Sequence, residues 1–305
     1  MKPSSNLLMI RPVAFESNIQ TMESNAFQER NPDVSAVQQQ ALQEFEQMVD
    51  MLRSNDLQVS VIDSQREPHT PDAIFPNNWL STHEDGTLVL YPMEAPNRRQ
   101  ERRPAIIEAL KDKFNVTNII DLSNYEAQHM FLEGTGSLVL DRTNKIAYAC
   151  LSSRTHQEVL SDFSTKLGYQ ILAFEAADAE NKAIYHTNVM MCVAESFAVV
   201  CLEAIGDKAQ RKQLETQLQK SKKVILGISR EQMGLFAGNM LEVMNTKGER
   251  FLVMSDSAYH SLSDLQINTI KSFCQILHTP LETIETNGGG SARCMMAEIY
   301  LAPKQ

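Results

Sequence analysis

One cysteine of the chain stands in a sequence context that could activate it as a nucleophile. Cys294 directly follows the sequence NGGGSAR at 287–293. Three consecutive glycines let the backbone approach a ligand closely, and a neighbouring arginine favours the thiolate, the reactive form of cysteine. The alternative is a buried thiol in a last strand after a flexible turn. The other cysteines lie in apolar stretches, where cysteine acts as a small hydrophobic residue: Cys150, Cys192, Cys201 and Cys274.

Two further residues supply the other parts of a covalent catalytic site. Catalysis by a cysteine nucleophile uses an acid/base and a carboxylate that orients it. His186 precedes the apolar segment 188–193, and Glu133 lies between apolar residues and glycine in the segment 131–136. The alternatives are a structural histidine at a strand end and a turn carboxylate that accepts backbone N–H groups. Their roles therefore depend on the elements that position them.

A recurring order of elements accounts for the positions of these residues. Apolar periodicity predicts a helix over 37–53, a strand over 58–62, and a hairpin of 79–82 and 87–91 that turns at Asp85-Gly86. The same order returns four times. The second unit has a helix through Ile106, Leu110 and Phe114, strand 116–122 and hairpin 136–150. The third has a helix through 159–167 capped by Gly168, strand 169–174 and hairpin 187–202. The fourth has helix 208–220, strand 224–228 and hairpin 239–254, and the last has helix 262–277, strand 281–286 and the glycine loop.

The loops before the hairpins recur at a regular spacing. Asn77, Glu133, His186, Gly238 and Gly288 are separated by 56, 53, 52 and 50 residues. Repeated units of this kind can close into a ring in which each small sheet packs on the next. In a closed ring these loops meet near the axis. The spacing therefore predicts that Asn77, Glu133, His186 and Cys294 converge.

Composition excludes several classes of protein. The 305 residues are 43% hydrophobic and 22% charged, which is typical of a folded protein with a substantial core. A net charge of −10 argues against a nucleic-acid partner. No apolar run is long enough to span a membrane, and no signal peptide is evident, so we expect a cytoplasmic protein of one domain over 1–305. The arginines at 98–99 and 102–103 are interpreted as a solvated face of a helix.

The order and spacing of five short motifs resemble the arginine deiminase/amidinotransferase (pentein) superfamily over nearly the whole chain. The resemblance implies an α/β fold, a five-bladed propeller of five ββαβ repeats around a central channel. Its citrulline-utilisation hydrolases and dimethylarginine dimethylaminohydrolases are the most similar branch. The motifs are PDAIFPNN at 71–78, LEG at 132–134, SSRT at 152–155, YHTN at 185–188 and GGGSARC at 288–294.

The resemblance also implies roles. Cys294 would attack the substrate carbon, and His186 would protonate the leaving nitrogen and then activate water. Glu133 would hold a substrate nitrogen and tune His186, and backbone N–H groups of 289–291 would stabilise developing charge. Arg154 would bind the substrate α-carboxylate, unless it is a surface arginine before a helix. The resemblance implies no metal or organic cofactor, and the chain has no cluster of Cys and His at zinc spacing.

Departures from the family pattern bear on the substrate. Members that act on guanidinium groups typically carry an acid at the position of Asn78, and the deiminases carry an aspartate at that of Asn188. An ionised carboxylate only accepts hydrogen bonds, whereas asparagine also donates. Asparagines at 78 and 188, with Asn77 beside the first and Asp72 as the acid, can bond both the C=O and the N–H groups of a ureido group. They therefore favour citrulline as the substrate, with ornithine, ammonia and carbon dioxide as products. The alternative is that Asn77 and Asn78 only shape a turn.

Four rival functions stay open at this point. An arginine or dimethylarginine deiminase-type hydrolase and an amidinotransferase would use the same Cys, His and Glu. A non-catalytic ring of the same fold would not need these residues, and a metal-dependent hydrolase would need a ligand cluster that the sequence lacks. The expected partner is a small amino-acid substrate, with no nucleic acid and no membrane. Whether the chain forms a homo-oligomer is left open.

Overall fold

The strands of the protein are short and pair in threes. The computed structural model describes residues 2–22, 25 and 27–304, and within these it contains five three-stranded sheets. The strands are β1 (Asn6–Arg11), β2 (Gln58–Asp63), β3 (Leu80–Thr82), β4 (Thr87–Leu90), β5 (Asn118–Asp121), β6 (Leu138–Asp141), β7 (Ile146–Cys150), β8 (Gln170–Phe174), β9 (Met191–Val193), β10 (Phe197–Val200), β11 (Val224–Gly227), β12 (Leu241–Met244), β13 (Arg250–Ser255), β14 (Gln275–Thr279) and β15 (Ala297–Ile299).

Long helices connect strands, and one-turn helices precede several of them. The helices are α1 (Ile19–Met22), α2 (Val34–Ser54), α3 (Pro96–Arg99), α4 (Pro104–Lys113), α5 (Gly134–Ser137), α6 (Gln157–Leu167), α7 (Thr187–Met190), α8 (Lys208–Lys220), α9 (Arg230–Gly234), α10 (Asp256–Ser261), α11 (Asp264–Lys271), α12 (Glu282–Gly288) and α13 (Ala292–Met295). Short 3₁₀ turns cover Pro71–Ile74, Pro76–Asn78, Ser123–Gln128 and Leu202–Ala204. No helix among the described residues is long and apolar enough to cross a membrane.

Four of the sheets share one topology. The first two strands form an antiparallel hairpin, as in β3–β4, where Leu80 faces Leu90. The third strand lies parallel to the second, as in β4–β5, where Leu88 faces Ile119. A parallel pair needs a crossover connection, and α4, α6, α8 and α11 supply it in the four sheets. Each of these sheets is therefore a ββαβ unit.

The fifth sheet joins the two ends of the chain. β15 pairs antiparallel with β1, with Leu7 facing Glu298, and β1 pairs parallel with β2 after the crossover helix α2. Asp33 caps α2 by accepting from the backbone N–H of Ala36, and the helix buries an apolar face that includes Phe45. The first and last strands thus complete one unit with β2. The sequence pattern instead placed strand 58–62 in the first unit and the glycine loop in the last.

Apolar clusters between neighbouring sheets close the ring. One cluster joins β15–β1–β2 to β3–β4–β5, and a second joins that sheet to β6–β7–β8. A third spans β6–β7–β8, β9–β10–β11 and β13. The last returns from β12 and β13 to β1. The predicted five-unit α/β propeller is confirmed.

The last unit differs from the prediction. The segment 281–286 was expected to be a strand, but it lies in α12, and the third strand of its sheet is β14. The helix expected over 262–277 accordingly ends with α11 at Lys271. The apolar residues of β14 continue the helical period of α11, so the pattern does not mark where the helix ends. Gly168 caps α6 with φ 70°, as predicted.

Candidate active site

One-turn structures before the first strands of successive sheets meet around the ring axis. The hydroxyl of Thr135 in α5 donates to the carbonyl of Asn77 at 3.2 Å. The hydroxyl of Thr187 in α7 donates to the carbonyl of Ser137 at 2.6 Å. The turn Pro76–Asn78 also contacts α13. These links bring together the loops that the fivefold spacing placed near the axis.

A small cavity opens at this end of the ring. Its volume, counted as the space open to the centre of a water molecule, is about 10 Å³. The side chains predicted to act as nucleophile and acid/base both line it, and so do Arg154, Asp72 and Asn78. Its full lining is Asn25, Asp72, Phe75, Asn78, Arg98, Arg154, Tyr185, His186, Gly288, Gly289, Gly290 and Cys294.

His186 and Glu133 form a buried pair. The Nε2 of His186 lies 2.8 Å from Oε2 of Glu133. Burial lowers the pKa of His186 to about 4, although the hydrogen bond and charge of Glu133 act in the opposite direction. Burial opposes ionisation of Glu133, but Arg154, His186 and Arg98 outweigh it and hold its pKa far below the ordinary value. At neutral pH, His186 is therefore a neutral imidazole that donates its Nε2–H to a carboxylate.

Arg154 is buried in the cavity wall and not on the surface. Its Nη1 lies 3.4 Å from Oε2 of Glu133, and its Nε lies 3.2 Å from Oε2 of Glu94. Its Nη2 donates to the carbonyl of Thr21, and its guanidinium lies over the ring of Tyr185. A substrate carboxylate can reach this guanidinium most readily by displacing Glu94, whose side chain keeps 29% exposure.

Arg98 corrects the interpretation of the arginine-rich segment. Arg98 is 2% exposed and pairs with Glu101 through Nε at 2.9 Å and Nη2 at 3.1 Å. Asp72 and Glu133 lie 3.7 and 3.8 Å from the same guanidinium. A buried cation needs such partners. The solvated face predicted for this segment is therefore wrong at Arg98, because the sequence around it does not reveal that Asp72 and Glu133 from other segments pair with it.

Asn78 is held in a single orientation by that arginine. Nη1 of Arg98 lies 2.9 Å from Oδ1 of Asn78. Because a guanidinium offers only donors, the atom that faces it must be the amide oxygen. The Nδ2 of Asn78 is then left buried without a hydrogen-bond acceptor among the described residues. The site thus contains a buried N–H donor group that no described residue satisfies.

Asp72 presents an acceptor to the same cavity. Its Oδ2 accepts from the side chains of Asn18 at 2.7 Å and Thr21 at 3.2 Å. Its Oδ1 has no hydrogen-bond partner among the described residues. The site therefore combines an unsatisfied donor at Asn78 with an unsatisfied acceptor at Asp72.

The sulfur of Cys294 is contacted by two amides. The Nδ2 groups of Asn188 and Asn239 lie 3.4 and 3.2 Å from Sγ. Arg293 was expected to favour the thiolate, but its guanidinium binds Glu298 at 3.1 Å and the carbonyl of Met296. Adjacent side chains on this one-turn helix point apart, so Arg293 faces away from its neighbour. The sulfur therefore contacts the amide N–H groups of Asn188 and Asn239, and not the guanidinium of Arg293.

Three of the groups expected to bind the substrate or its charge lie outside the cavity lining or are already bonded within the protein. Asn77 is fully buried but is not part of the cavity lining. Asn188 lies at the sulfur and not in the wall of this cavity. The N–H of Gly289 donates to the carbonyl of Glu285, as the end of α12 requires, so it is not free to stabilise charge. Gly289 has φ 64°, and a Cβ there would lie 2.3 Å from Nδ2 of Asn25.

Sequence reasoning missed several residues of the site. Asn239 directly follows Gly238, the fourth of the regularly spaced loop positions, so the spacing contained its signal. Tyr185 precedes His186 and donates to the carbonyl of Gly289. Asn18, Thr21 and Asn25 precede the first repeat and gave no comparable signal. Within the described residues, no three His, Cys, Asp or Glu side chains are grouped to hold a metal ion.

A family profile matches most of the chain. The family described as N,N dimethylarginine dimethylhydrolase, eukaryotic, matches residues 11–301. No curated protein matches the chain significantly by sequence.

Solved structures share the fold at low sequence identity. The apo structure of ArgZ, an arginine dihydrolase from the ornithine–ammonia cycle in cyanobacteria, has TM-score 0.76 and 17% identity, and the match covers 98% of this chain and 41% of ArgZ. Unliganded AgrE has TM-score 0.76 and 19% identity, with 98% and 40% covered. A dimethylarginine dimethylaminohydrolase adduct with S-methyl-L-thiocitrulline has TM-score 0.66 and 12% identity, with 97% and 99% covered. The chain therefore spans about two fifths of the length of ArgZ and AgrE.

Proposed function

The chain belongs to the N,N-dimethylarginine dimethylhydrolase family of the pentein superfamily, and within that family we propose that it hydrolyses citrulline to ornithine, ammonia and carbon dioxide. Membership makes it a cysteine-dependent hydrolase of C–N bonds other than peptide bonds. The proposal concerns which substrate it takes and which residues act on it.

The observation that carries the substrate assignment is the fixed amide of Asn78. Its Oδ1 is occupied by Arg98, and its Nδ2 is a buried donor that finds no acceptor in the part of the chain that the structure describes. A ureido group supplies a carbonyl oxygen to such a donor, whereas a guanidinium offers only N–H groups. A donor left facing another donor costs about 1–3 kcal/mol. The N–H groups of the ureido end are matched by Oδ1 of Asp72, for which the described residues offer no hydrogen-bond donor.

The acid/base steps follow from the protonation state of His186. A neutral imidazole cannot protonate a leaving group at first, so His186 takes the proton of the Cys294 thiol. The thiolate adds to the ureido carbon, the terminal C–N bond breaks, and the proton passes from His186 to the departing ammonia. The carbon is now bonded to Sγ and still to the δ-nitrogen of the ornithine part.

Water completes the turnover. A C–O bond forms to water, whose proton goes to His186, and the C–Sγ bond breaks with its electron pair returning to the thiolate. The N-carboxylated ornithine that results loses carbon dioxide. Glu133 keeps the imidazole oriented through both steps, as its 2.8 Å hydrogen bond supports. Arg154 would bind the substrate α-carboxylate in place of Glu94.

A second candidate is hydrolysis of arginine or a methylated arginine. It is favoured by the acidic group that lines the cavity, Asp72, and by the family description. In this reaction citrulline is the product and not the substrate. The same thiol and imidazole would act, so only the substrate distinguishes the two candidates.

The experiment that decides between them uses the purified protein with citrulline, arginine and dimethylarginine in separate reactions. Ornithine, citrulline and ammonia are measured in each. The proposal expects ornithine and ammonia in equal amounts from citrulline. Formation of citrulline from arginine or dimethylarginine, with citrulline itself not consumed, would establish the second candidate and overturn the first.

A further inference from the structure

Asn239 is a buried residue at the catalytic sulfur that the reaction steps above do not use. It directly follows Gly238, the fourth of the regularly spaced loop positions, and it is fully buried. A Cβ at Gly238 would lie 2.3 Å from the carbonyl oxygen of Val189 in α7. The absence of a side chain therefore lets this loop pack directly against α7, and the next residue reaches both α7 and the helix α13 that carries Cys294.

The protein fixes which atom of the Asn239 amide faces the sulfur. Oδ1 accepts from the backbone N–H of Arg293 at 3.0 Å. Because a backbone N–H only donates, the atom that faces it must be the amide oxygen. Nδ2 then lies 2.9 Å from the carbonyl oxygen of Asn188, to which it donates, and 3.2 Å from Sγ of Cys294. The contact of Asn239 with the sulfur is therefore a donated hydrogen bond.

The second amide at the sulfur has no such constraint. Nδ2 of Asn188 lies 3.4 Å from Sγ, and its Oδ1 has no hydrogen-bond partner among the described residues. Rotation of this amide breaks no other hydrogen bond of its side chain to a described residue, so Asn188 can accept from a thiol or donate to a thiolate. Asn239 presents a donor to the sulfur in both protonation states.

A fixed donor favours the charged form of the sulfur. A hydrogen bond to an ionised acceptor is stronger than one to a neutral acceptor, so a donor stabilises the thiolate more than the thiol. Cys294 is only 3% exposed, so water contributes little, and the guanidinium of Arg293 is bound to Glu298. Asn239 is not part of the cavity lining. A substrate in the cavity therefore leaves its hydrogen bond to the sulfur in place.

We propose that Asn239 is a catalytic residue that stabilises the thiolate of Cys294 through its Nδ2–H. This inference rests on the proposed covalent reaction. The hydrogen bond acts whenever the sulfur is charged. That is the case after His186 has taken the thiol proton, and again when the C–Sγ bond breaks and its electron pair returns to the sulfur. Asn239 gives up no proton in either step.

The test measures how fast iodoacetamide alkylates Cys294 between about pH 6 and pH 11, where thiols ionise. The rate is followed without substrate, by mass analysis of the peptide that contains Cys294. Asn239→Leu removes the donor, adds no charge and is close to asparagine in size. We expect the pH of half-maximal rate to rise by about one unit. Because a less stabilised thiolate is more nucleophilic, the maximal rate at high pH should rise about threefold.

A purely structural role of Asn239 would change neither of these quantities in that direction. Asn245→Leu is the matched control, because it removes a buried amide at the other end of β12. It should leave the pH of half-maximal alkylation unchanged. Asn239→Ala carries the same expectation as Asn239→Leu and replaces it if the leucine variant does not fold. An unchanged pH of half-maximal alkylation in a folded Asn239 variant would overturn the proposal.

Two further measurements separate this inference from the proposed function. kcat/KM of Asn239→Leu for citrulline should fall roughly three- to tenfold near neutral pH and recover as the pH rises. If the wild-type enzyme does not consume citrulline, the proposed function has failed, and the alkylation profile, which uses no substrate, still tests Asn239. A crystal structure of the wild-type enzyme with Nδ2 of Asn239 beyond hydrogen-bond distance of Sγ would overturn the proposal without any variant.

Discussion

Arg98 determines which hydrogen-bonding group Asn78 presents to the active site. The two side chains are each 2% exposed, and Nη1 of Arg98 lies 2.9 Å from Oδ1 of Asn78. Because the guanidinium has no acceptor, rotation of the Asn78 amide would place its Nδ2 donor against the N–H donors of Arg98. The orientation of the Asn78 amide is thus a consequence of an ion-paired arginine on the short helix α3.

Asn78→Asp should reverse the substrate preference. The variant keeps an oxygen facing Arg98 but replaces the Nδ2 donor with an acceptor. We expect kcat/KM for citrulline to fall roughly 5- to 150-fold, which corresponds to an unsatisfied group costing about 1–3 kcal/mol, and kcat/KM for arginine to rise relative to it. Asn78→Ala, which removes both atoms, is the control and should impair citrulline without favouring arginine. An unchanged ratio of the two kcat/KM values would contradict the role of Asn78.

Gly136→Ala should disturb Asn78 and His186 together. A Cβ at this position would lie 2.4 Å from Nδ2 of Asn78 and 2.8 Å from Nδ1 of His186. Neither side chain can move away freely, since Arg98 holds one and Glu133 the other. We expect activity to fall at least a hundredfold and the midpoint of thermal unfolding to drop. Gly206→Ala, whose Cβ would meet nothing within 4 Å, should change neither, and equal behaviour of the two variants would refute the packing argument.

Arg98→Leu should destabilise the protein severely. Removing this guanidinium leaves the carboxylates of Asp72, Glu101 and Glu133 without a shared buried cation. Removing one partner of a buried ion pair lowers the free energy of unfolding by about 3–5 kcal/mol. Arg99→Leu removes an arginine whose side chain is 30% exposed, and we expect a loss below about 1 kcal/mol there. Urea denaturation of both variants measures the difference, and similar losses would show that Arg98 has no special role.

The lowered pKa of His186 should appear in the pH dependence of stability. The native pKa is about 4, whereas an unfolded histidine has a pKa of about 6.5. Between these values the unfolded chain binds more protons, so the free energy of unfolding falls as pH falls. Between pH 6.5 and pH 5, the titration of His186 alone lowers the free energy of unfolding by about 1.5 kcal/mol. His186→Asn should lose that much of the pH dependence, and His260→Asn, at an exposed position, should keep it.

The regular spacing of loop residues predicted the ring and the elements that meet at its axis. Spacing works here because each ββαβ unit buries the same kind of apolar surface against its neighbour, which keeps the units similar in length. It does not reveal how the ring closes. Closure depends on β15 pairing with β1, a contact between distant segments whose apolar residues resemble those of any short strand.

The chemistry of the site was only partly visible in the sequence. Glu133 and His186 stand at the regularly spaced loop positions, and Cys294 follows the fifth of them, Gly288, by six residues, so one periodicity indicates the loops of all three. Arg98 lies outside that periodicity, and its burial depends on carboxylates from three other positions along the chain. Arg293 is adjacent to Cys294 in sequence, but its guanidinium does not contact the sulfur. Proximity along the chain therefore does not predict a contact in the site.

The measurement that tests the central claim most directly is intact and peptide mass analysis of the enzyme quenched in acid during turnover of citrulline. We predict a covalent adduct on the peptide that contains Cys294, with the mass of citrulline less ammonia. We also predict its absence in Cys294→Ala and its presence in Cys274→Ala, which removes a buried thiol outside the site. Turnover of citrulline that persists in Cys294→Ala would contradict the account.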